Sequence, residues 1–265
     1  MNKFIFIGFL FISAWVQAQE KYDSTGVIQG SFRFMTTDNL GTLYLIKEDQ
    51  SIEKYDATGR IQKQVNHKVY GKLHSMDATN PFEIYLYYRD MGKVVFTDNQ
   101  LSIRGEIELN TYLLMPSALA RSFDNGLWIF DLSDMELKKF SKNMLISQHS
   151  GNILQVGDGK SFEIREIQDQ ETKVYLNNAA AGILVFDNFA NYLKTLPFPE
   201  LESWQVHRDV LYFKKGEQLL RYDSRFLTTD TLDLPVSSGW KYFRISGDYL
   251  FLHYPDRVVL LNQRK

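Results

Sequence analysis

The chain has 265 residues, a formal net charge of −2, no cysteine and 14% aromatic residues. Basic and acidic residues are interspersed, so the phosphate-neutralising surface of a nucleic-acid-binding protein is not expected. The lack of cysteine excludes disulfides, thiol catalysis and cysteine-ligated zinc, and the aromatic content suits half-buried β-strands.

Residues 1–18 have the pattern of a secretory signal peptide. Lys3 precedes an apolar run from Phe4 to Val16, and Ala18 supplies the small side chain expected at a cleavage site. The run is shorter than the roughly 20 apolar residues that span a bilayer, so no membrane span is expected in the mature chain. We predict export to the periplasm or the cell exterior, and one domain over residues 19–265.

After this segment a pair of strands recurs six times. The first strand of each pair carries an aromatic residue, and these aromatic residues lie roughly 40 positions apart, a spacing typical of propeller blades. They are Tyr44, Tyr85, Trp128, Tyr175, Tyr212 and Phe251. The second strand follows about eleven residues later in every unit, as two strands joined by a short loop would require.

Each unit also has a strand before and a strand after this pair. Asp38-Asn39-Leu40-Gly41 and Asp124-Asn125-Gly126 have the composition of hairpin turns, and residues 105–109 are typical of an outer strand. The sequence therefore predicts an all-β, six-bladed β-propeller of four-stranded antiparallel blades, with a β-sandwich or β-helix as the alternative. In the longest interval, residues 147–160 are interpreted as a loop insertion.

The last unit has room for only three strands before Lys265. The missing strand is predicted at the other end of the mature chain, because Tyr22–Gln29 repeats the sequence of Tyr55–Gln62 almost residue for residue. Pairing this segment as the outer strand of the last blade would close the ring and cover an exposed sheet edge.

No catalytic, cofactor or metal site is predicted, because the five histidines are scattered without ligand spacing. Binding residues are instead expected in loops at the end of the ring that gathers the blade-to-blade connections. The candidate partner-binding residues are Tyr88, Arg89, Asp90, Trp204, Trp240, His253 and Tyr254. For Trp204 and Trp240 the alternative is packing between blades, and for Arg89-Asp90 it is a solvated turn.

The segment from Asp77 to Leu101 resembles exported six-bladed propeller proteins of Bacteroidota whose role is uncharacterised. The Tyr-Asp-x-x-Gly units at Tyr22 and Tyr55 are more loosely similar to NHL-type propellers. This resemblance covers most of the mature chain and implies fold and export, with no catalytic motif to transfer.

The leading functional hypothesis is a non-enzymatic, monomeric scaffold that binds a protein of the cell envelope at one loop-rich face. One alternative is a propeller enzyme acting on a carbohydrate, lactone or ester at the central channel. Another is a carbohydrate-binding module. Propellers host many unrelated functions, so the fold does not decide among the three.

Overall fold

A computed structural model describes residues 21–156 and 162–264. The predicted signal peptide lies outside the described residues. The strands of the described part are β1 (Tyr22–Gln29), β2 (Phe34–Thr37), β3 (Leu43–Ile46), β4 (Ser51–Tyr55), β5 (Ile61–Asn66), β6 (Ser75–Asp77), β7 (Ile84–Tyr88), β8 (Lys93–Thr97), β9 (Ile103–Glu108), β10 (Pro116–Arg121), β11 (Leu127–Asp131), β12 (Glu136–Phe140), β13 (Ile146–Asn152), β14 (Ile164–Gln170), β15 (Lys173–Asn178), β16 (Gly182–Asp187), β17 (Tyr192–Leu196), β18 (Trp204–His207), β19 (Val210–Lys215), β20 (Gln218–Asp223), β21 (Thr228–Thr231), β22 (Tyr242–Ser246), β23 (Tyr249–His253) and β24 (Arg257–Gln263).

Short 3-10 helices occur in the loops and connections at one end of blades one to three. They are η1 (Lys68–Tyr70), η2 (Arg89–Met91), η3 (Leu109–Tyr112) and η4 (Ile153–Val156). Within the described ranges, no helix is long and apolar enough to cross a membrane.

The strands form six four-stranded antiparallel sheets, which confirms the predicted six-bladed propeller. Blades one to five are consecutive in sequence: β2–β5, β6–β9, β10–β13, β14–β17 and β18–β21. Blade six has the order β1-β24-β23-β22, so its outer strand comes from the start of the described chain.

The predicted closure is confirmed residue by residue. Strand β1 pairs with β24 from Tyr22 opposite Gln263 to Gln29 opposite Arg257. Beyond the ladder, the Arg264 backbone N–H donates to the Lys21 carbonyl at 2.7 Å.

Burial explains why the middle strands are apolar on both faces. All residues of β3 and β7 are buried, whereas the outer strand β5 alternates between exposed and half-buried positions. Packing between neighbouring blades produces this pattern, as where Tyr44 and Ile46 of blade one share a core cluster with Leu86 of blade two. Removing this apolar surface from water is the main stabilising contribution available to a chain without disulfides.

The interpretation of residues 147–160 as a loop insertion is wrong for its first part. Residues up to Asn152 belong to β13, the outer strand of blade three. Its side chains are exposed or half-buried, so the segment lacks the apolar pattern that marks inner strands.

Candidate functional site

The predicted site residues lie at one end of the ring, but in two separate groups. Tyr88 ends β7, and Arg89 and Asp90 follow it in η2, on blade two. Arg89 and Asp90 are exposed, and an Arg89 guanidinium nitrogen donates to the Ser117 carbonyl of blade three. Tyr88 is buried, with its ring 5.1 Å from that of Tyr70.

The second group, on blades five and six, is buried. Trp204 packs in the core cluster between blades four and five, and Trp240 lies edge-on to Phe243 at 6.3 Å. For both tryptophans this placement matches the blade-packing alternative. A role for them in partner binding stays a prediction.

His253 and Tyr254 are also buried and make structural hydrogen bonds. His253 Nε2 lies 2.8 Å from the Phe32 carbonyl oxygen of blade one, and burial lowers the pKa of its imidazole. The Tyr254 hydroxyl donates to the Ser237 carbonyl at 2.6 Å. Arg89 and Asp90 are thus the exposed pair among the seven predicted residues.

Large apolar side chains are exposed beside Arg89 and Asp90, on loops of blades two and three. Leu113 is 85% exposed and Met115 is 60% exposed. We call the set the apolar patch, and it comprises Met91, Tyr112, Leu113, Met115 and Leu132. The sequence places Met91 in a loop at the predicted binding end and Tyr112 and Met115 in a blade connection at the same end, whereas Leu113 and Leu132 were missed.

Backbone hydrogen bonds hold the three loops of the apolar patch against one another. The Gly92 carbonyl accepts from the Leu109 N–H at 2.7 Å, and the Met115 carbonyl accepts from the Leu132 N–H at 3.0 Å. Gly92 has a φ of 61°, and a Cβ there would lie 2.5 Å from the Asn110 Oδ1 atom. A side chain at position 92 would therefore be strained by the left-handed backbone and would have to displace the Asn110 side chain.

A buried ion pair fixes the base of the apolar patch. The Asp131 carboxylate accepts from Lys138 Nζ at 2.7 Å, from the Met115 N–H at 3.0 Å and from the Ser133 N–H at 3.1 Å. Burial raises the pKa of Asp131, but these hydrogen bonds outweigh burial and hold the pKa below its usual value. Lys138 also pairs with Asp134, so one lysine joins two carboxylates beside the patch loops and orders these loops.

The innermost strands of all six blades surround a central channel with a cavity of about 650 Å³. One position in each inner strand pairs with the aromatic residue of the next strand, so the six positions are equivalent. They are Thr36, Asp77, Ala120, Gln168, Gln205 and Arg244. Five of the six positions, all except Ala120, line the channel, whereas Ala120 packs in the core cluster between blades three and four.

Three of these side chains accept a backbone N–H from the next blade. Gln205 accepts from the Ile245 N–H and donates to the Ile245 carbonyl, both at 2.7 Å. Gln168 accepts from the Val206 N–H at 2.9 Å, and Asp77 accepts from the Arg121 N–H at 2.8 Å. These cross-blade bonds satisfy inner-edge groups that no further strand can pair.

The methyl side chain of Ala120 cannot accept such a bond. Blades three and four are instead joined by a carboxylate of blade four that accepts from donors of blade three. The Asp169 carboxylate accepts from Trp128 Nε1 at 2.7 Å and from the Phe123 N–H at 3.1 Å. Burial raises the pKa of Asp169, although these hydrogen bonds oppose the shift.

His74 lies at the channel wall near Arg33 and Arg89. Although His74 is partly exposed, desolvation of its imidazole against the channel wall, followed by the positive charges of Arg89 and Arg33, lowers its pKa to about 4. The imidazole is therefore neutral at neutral pH. Across the described ranges, no three His, Asp or Glu side chains are grouped so that they could hold a metal ion.

No protein-family model and no curated protein matches the sequence. Solved structures of similar fold include a streptogramin B lyase, with a TM-score of 0.63 and 10% identity over 93% of this chain and 98% of that one. A virginiamycin B lyase from Staphylococcus aureus gives a TM-score of 0.62 and 10% identity over 91% of this chain and 99% of that one. The WD40 domain of Pan2 from Neurospora crassa gives 0.61 and 8% identity over 94% and 98%. At these identities the likeness shows the propeller fold alone.

Proposed function

We propose that this chain is a non-enzymatic binding protein, exported to the bacterial periplasm or the cell exterior, that holds a protein partner on the apolar patch. The observation that carries the proposal is the group of large apolar side chains exposed on hydrogen-bonded loops of blades two and three. Contiguous groups of exposed apolar side chains mark interaction surfaces, whereas single scattered apolar residues on a surface are ordinary.

The composition of the apolar patch supports a protein partner. Aromatic residues, methionine and arginine are enriched at protein interfaces, and a polar rim commonly surrounds an apolar centre. Here Tyr112, Met91 and Met115 form part of the centre, and Arg89 and Asp90 provide adjacent charges. Because Asp131 and the loop hydrogen bonds already order this surface, little conformational entropy would be lost on binding.

Export and an envelope location are supported by the signal-like residues 1–18 and by the resemblance to exported propellers of Bacteroidota.

The double variant Leu113→Asp/Met115→Asp is expected to weaken partner binding by about 100-fold. Two exposed apolar side chains, each contributing on the order of 1.5 kcal/mol or more when buried, would be replaced by carboxylates. The measurement is affinity purification of the tagged wild type and variant from the envelope fraction of the native host, with partner yield quantified by mass spectrometry.

The matched control is Phe226→Asp/Leu227→Asp, because Phe226 is 72% and Leu227 75% exposed in a loop at the opposite end of the ring. This control should retain the partner at wild-type yield. Equal loss in both double variants, or no partner near stoichiometric yield with the wild type, would refute the proposal.

An enzyme acting at the channel is the second candidate, supported by the two lyases of similar fold. Three of the four channel carboxylates are bonded to or paired with other residues of the protein, and the fourth, Glu202, is exposed. Asp77 and Asp169 accept cross-blade hydrogen bonds, and Glu166 lies 3.5 Å from the Arg244 guanidinium. The side chains of the apolar patch are exposed and available to a partner, whereas most channel carboxylates already have partners within the protein. We therefore favour the binding function over the enzyme.

A further inference from the structure

The central channel carries an inference that does not depend on the apolar patch. Its cavity of about 650 Å³ lies within the range of roughly 300–1,000 Å³ that is typical of small-molecule sites. The walls belong to inner strands that are fixed by cross-blade hydrogen bonds. A ligand would therefore meet a preformed site.

Two buried polar groups of the channel wall have an atom without a hydrogen-bond partner among the described residues. Asn177 is 2% exposed, and its Nδ2 donates to the Leu201 carbonyl at 2.9 Å, while its Oδ1 has no partner. Arg121 is 8% exposed, and its Nε has no hydrogen-bond partner and lies 3.9 Å from the Glu83 carboxylate. Buried polar atoms of this kind are costly while they lack a partner, so each side chain would gain a hydrogen bond by turning toward a polar ligand in the channel.

The charges of the described channel wall are balanced. The arginines are Arg33, Arg121, Arg165 and Arg244, and the carboxylates are Asp77, Glu166, Asp169 and Glu202. With four of each and a neutral His74, the wall favours neither a polyanion nor a cation.

The remaining wall groups suit hydroxyls. Gln170 combines a donor with an acceptor and Asn177 Oδ1 is an acceptor, whereas Gln168 and Gln205 are already bonded to Val206 and Ile245 across the blades. A sugar hydroxyl can satisfy either kind of group. At the end of the channel nearer the blade connections, Phe34 and Tyr242 come from adjoining blades at equivalent depth, one pairing with Ile46 and the other with His253. Aromatic faces beside donors and acceptors match a ligand with apolar C–H faces and hydroxyl edges.

We propose that the central channel binds a short neutral oligosaccharide, with Tyr242 against a sugar face and Asn177 and Arg121 bonded to hydroxyls. The binding involves no covalent step. It also requires no residue of the apolar patch, so either proposal can fail without the other.

The test is isothermal titration calorimetry of the full mature chain with three neutral trisaccharides: cellotriose, maltotriose and the N-acetylglucosamine trimer. Matched charged probes are the glucosamine trimer, which is cationic, and the galacturonic acid trimer, which is anionic. We expect at least one neutral trisaccharide to bind at least about tenfold more tightly than either charged trimer.

Two channel variants show where binding occurs. Tyr242→Ala removes a half-exposed ring and is expected to weaken binding about tenfold, and Ser75→Trp places an indole in the channel and is expected to abolish it. Phe189→Trp, an exposed residue of the β16–β17 loop, is the matched control and should bind like the wild type. Melting temperatures establish that each variant is folded.

Three results would overturn the proposal. They are the absence of binding of every neutral trisaccharide below about 10 mM, tighter binding of a charged trimer, and unchanged affinity in folded Ser75→Trp. If Ser75→Trp does not fold, Tyr242→Ala decides the question alone, because its ring is not part of the buried core.

Discussion

Deletion of Tyr22–Gln29 is expected to lower the melting temperature by about 10–20 °C. The deletion removes the β1 ladder and exposes the edge of β24, and it also removes the buried side chains Tyr22 and Ile28. Burying two such side chains contributes on the order of 5 kcal/mol, and in a domain of this size each kcal/mol corresponds to about 2–4 °C. Differential scanning calorimetry of the mature chain with and without the segment measures the effect.

A matched pair of point variants separates ring closure from the general effect of altering an outer strand. Ile28 and Ile61 occupy the same place in the repeated sequence, yet Ile28 is 7% exposed and Ile61 is 54% exposed. Ile28→Asp places a carboxylate in the contact between blades six and one and should cost about 3 kcal/mol, whereas Ile61→Asp should change stability by less than about 0.5 kcal/mol.

A permuted chain completes this experiment. Moving Tyr22–Gln29 behind β24 through a short loop would make blade six continuous, like the other blades, and should restore the melting temperature. Equal destabilisation by Ile28→Asp and Ile61→Asp, together with no rescue by permutation, would contradict the role of β1 in closure.

Asp169→Ala is expected to destabilise the protein by about 1.5–3 kcal/mol. Trp128 is fully buried, and the substitution leaves its indole N–H without the acceptor that it now has at 2.7 Å. Leaving a buried donor unsatisfied costs more than the hydrogen bond itself contributed. Urea unfolding followed by tryptophan fluorescence measures the loss.

Asp169→Asn tests the chemical reason for this effect, because its amide oxygen can still accept from Trp128. Burial raises the pKa of Asp169 above its usual value, so the folded state binds this proton more tightly than the unfolded state does. The contribution of this carboxyl to the free energy of unfolding therefore falls as pH rises from its pKa in the unfolded chain to its higher pKa in the folded chain. The asparagine variant should lack this fall and should be more stable than the alanine variant at pH 7.

The contrary outcome is equal destabilisation by alanine and asparagine at pH 7. It would mean that the shape of the side chain, and not its acceptor, holds blades three and four together. A wild-type curve parallel to that of Asp169→Asn across the acid range would likewise contradict the assigned direction of the pKa shift.

The blade architecture was predictable because its signals are local. The similar offset between the paired strands and the copy of Tyr55–Gln62 at Tyr22–Gln29 identify hairpins and closure without any knowledge of distant contacts. Outer strand β13 was misread because its exposed face has no apolar requirement.

The candidate site was less predictable, since burial depends on neighbouring blades. Trp204 and Trp240 are residue types that are common at binding surfaces, but both are buried in core clusters between blades. Leu113, by contrast, is exposed, in a left-handed backbone conformation with a φ of 53°. The run Leu113-Leu114-Met115 inside a blade connection was the available signal, because apolar residues are unusual in a surface loop. The cross-blade bonds of Gln168 and Gln205 join residues far apart in sequence, which no spacing rule reveals.

The pairing of β1 with β24 also determines the order of events during synthesis. The Thr25 hydroxyl donates to the Leu260 carbonyl, and these residues are 235 positions apart. At about 5–20 residues per second, β1 waits on the order of 10–50 s for its partner to be made. Throughout that time blades one to five can assemble in sequence, but the growing arc keeps an unpaired edge at each end. Ring closure therefore has to wait for β24, the last strand to be synthesised. A chain truncated before β24 should remain an open arc with unpaired edges and should be prone to aggregation.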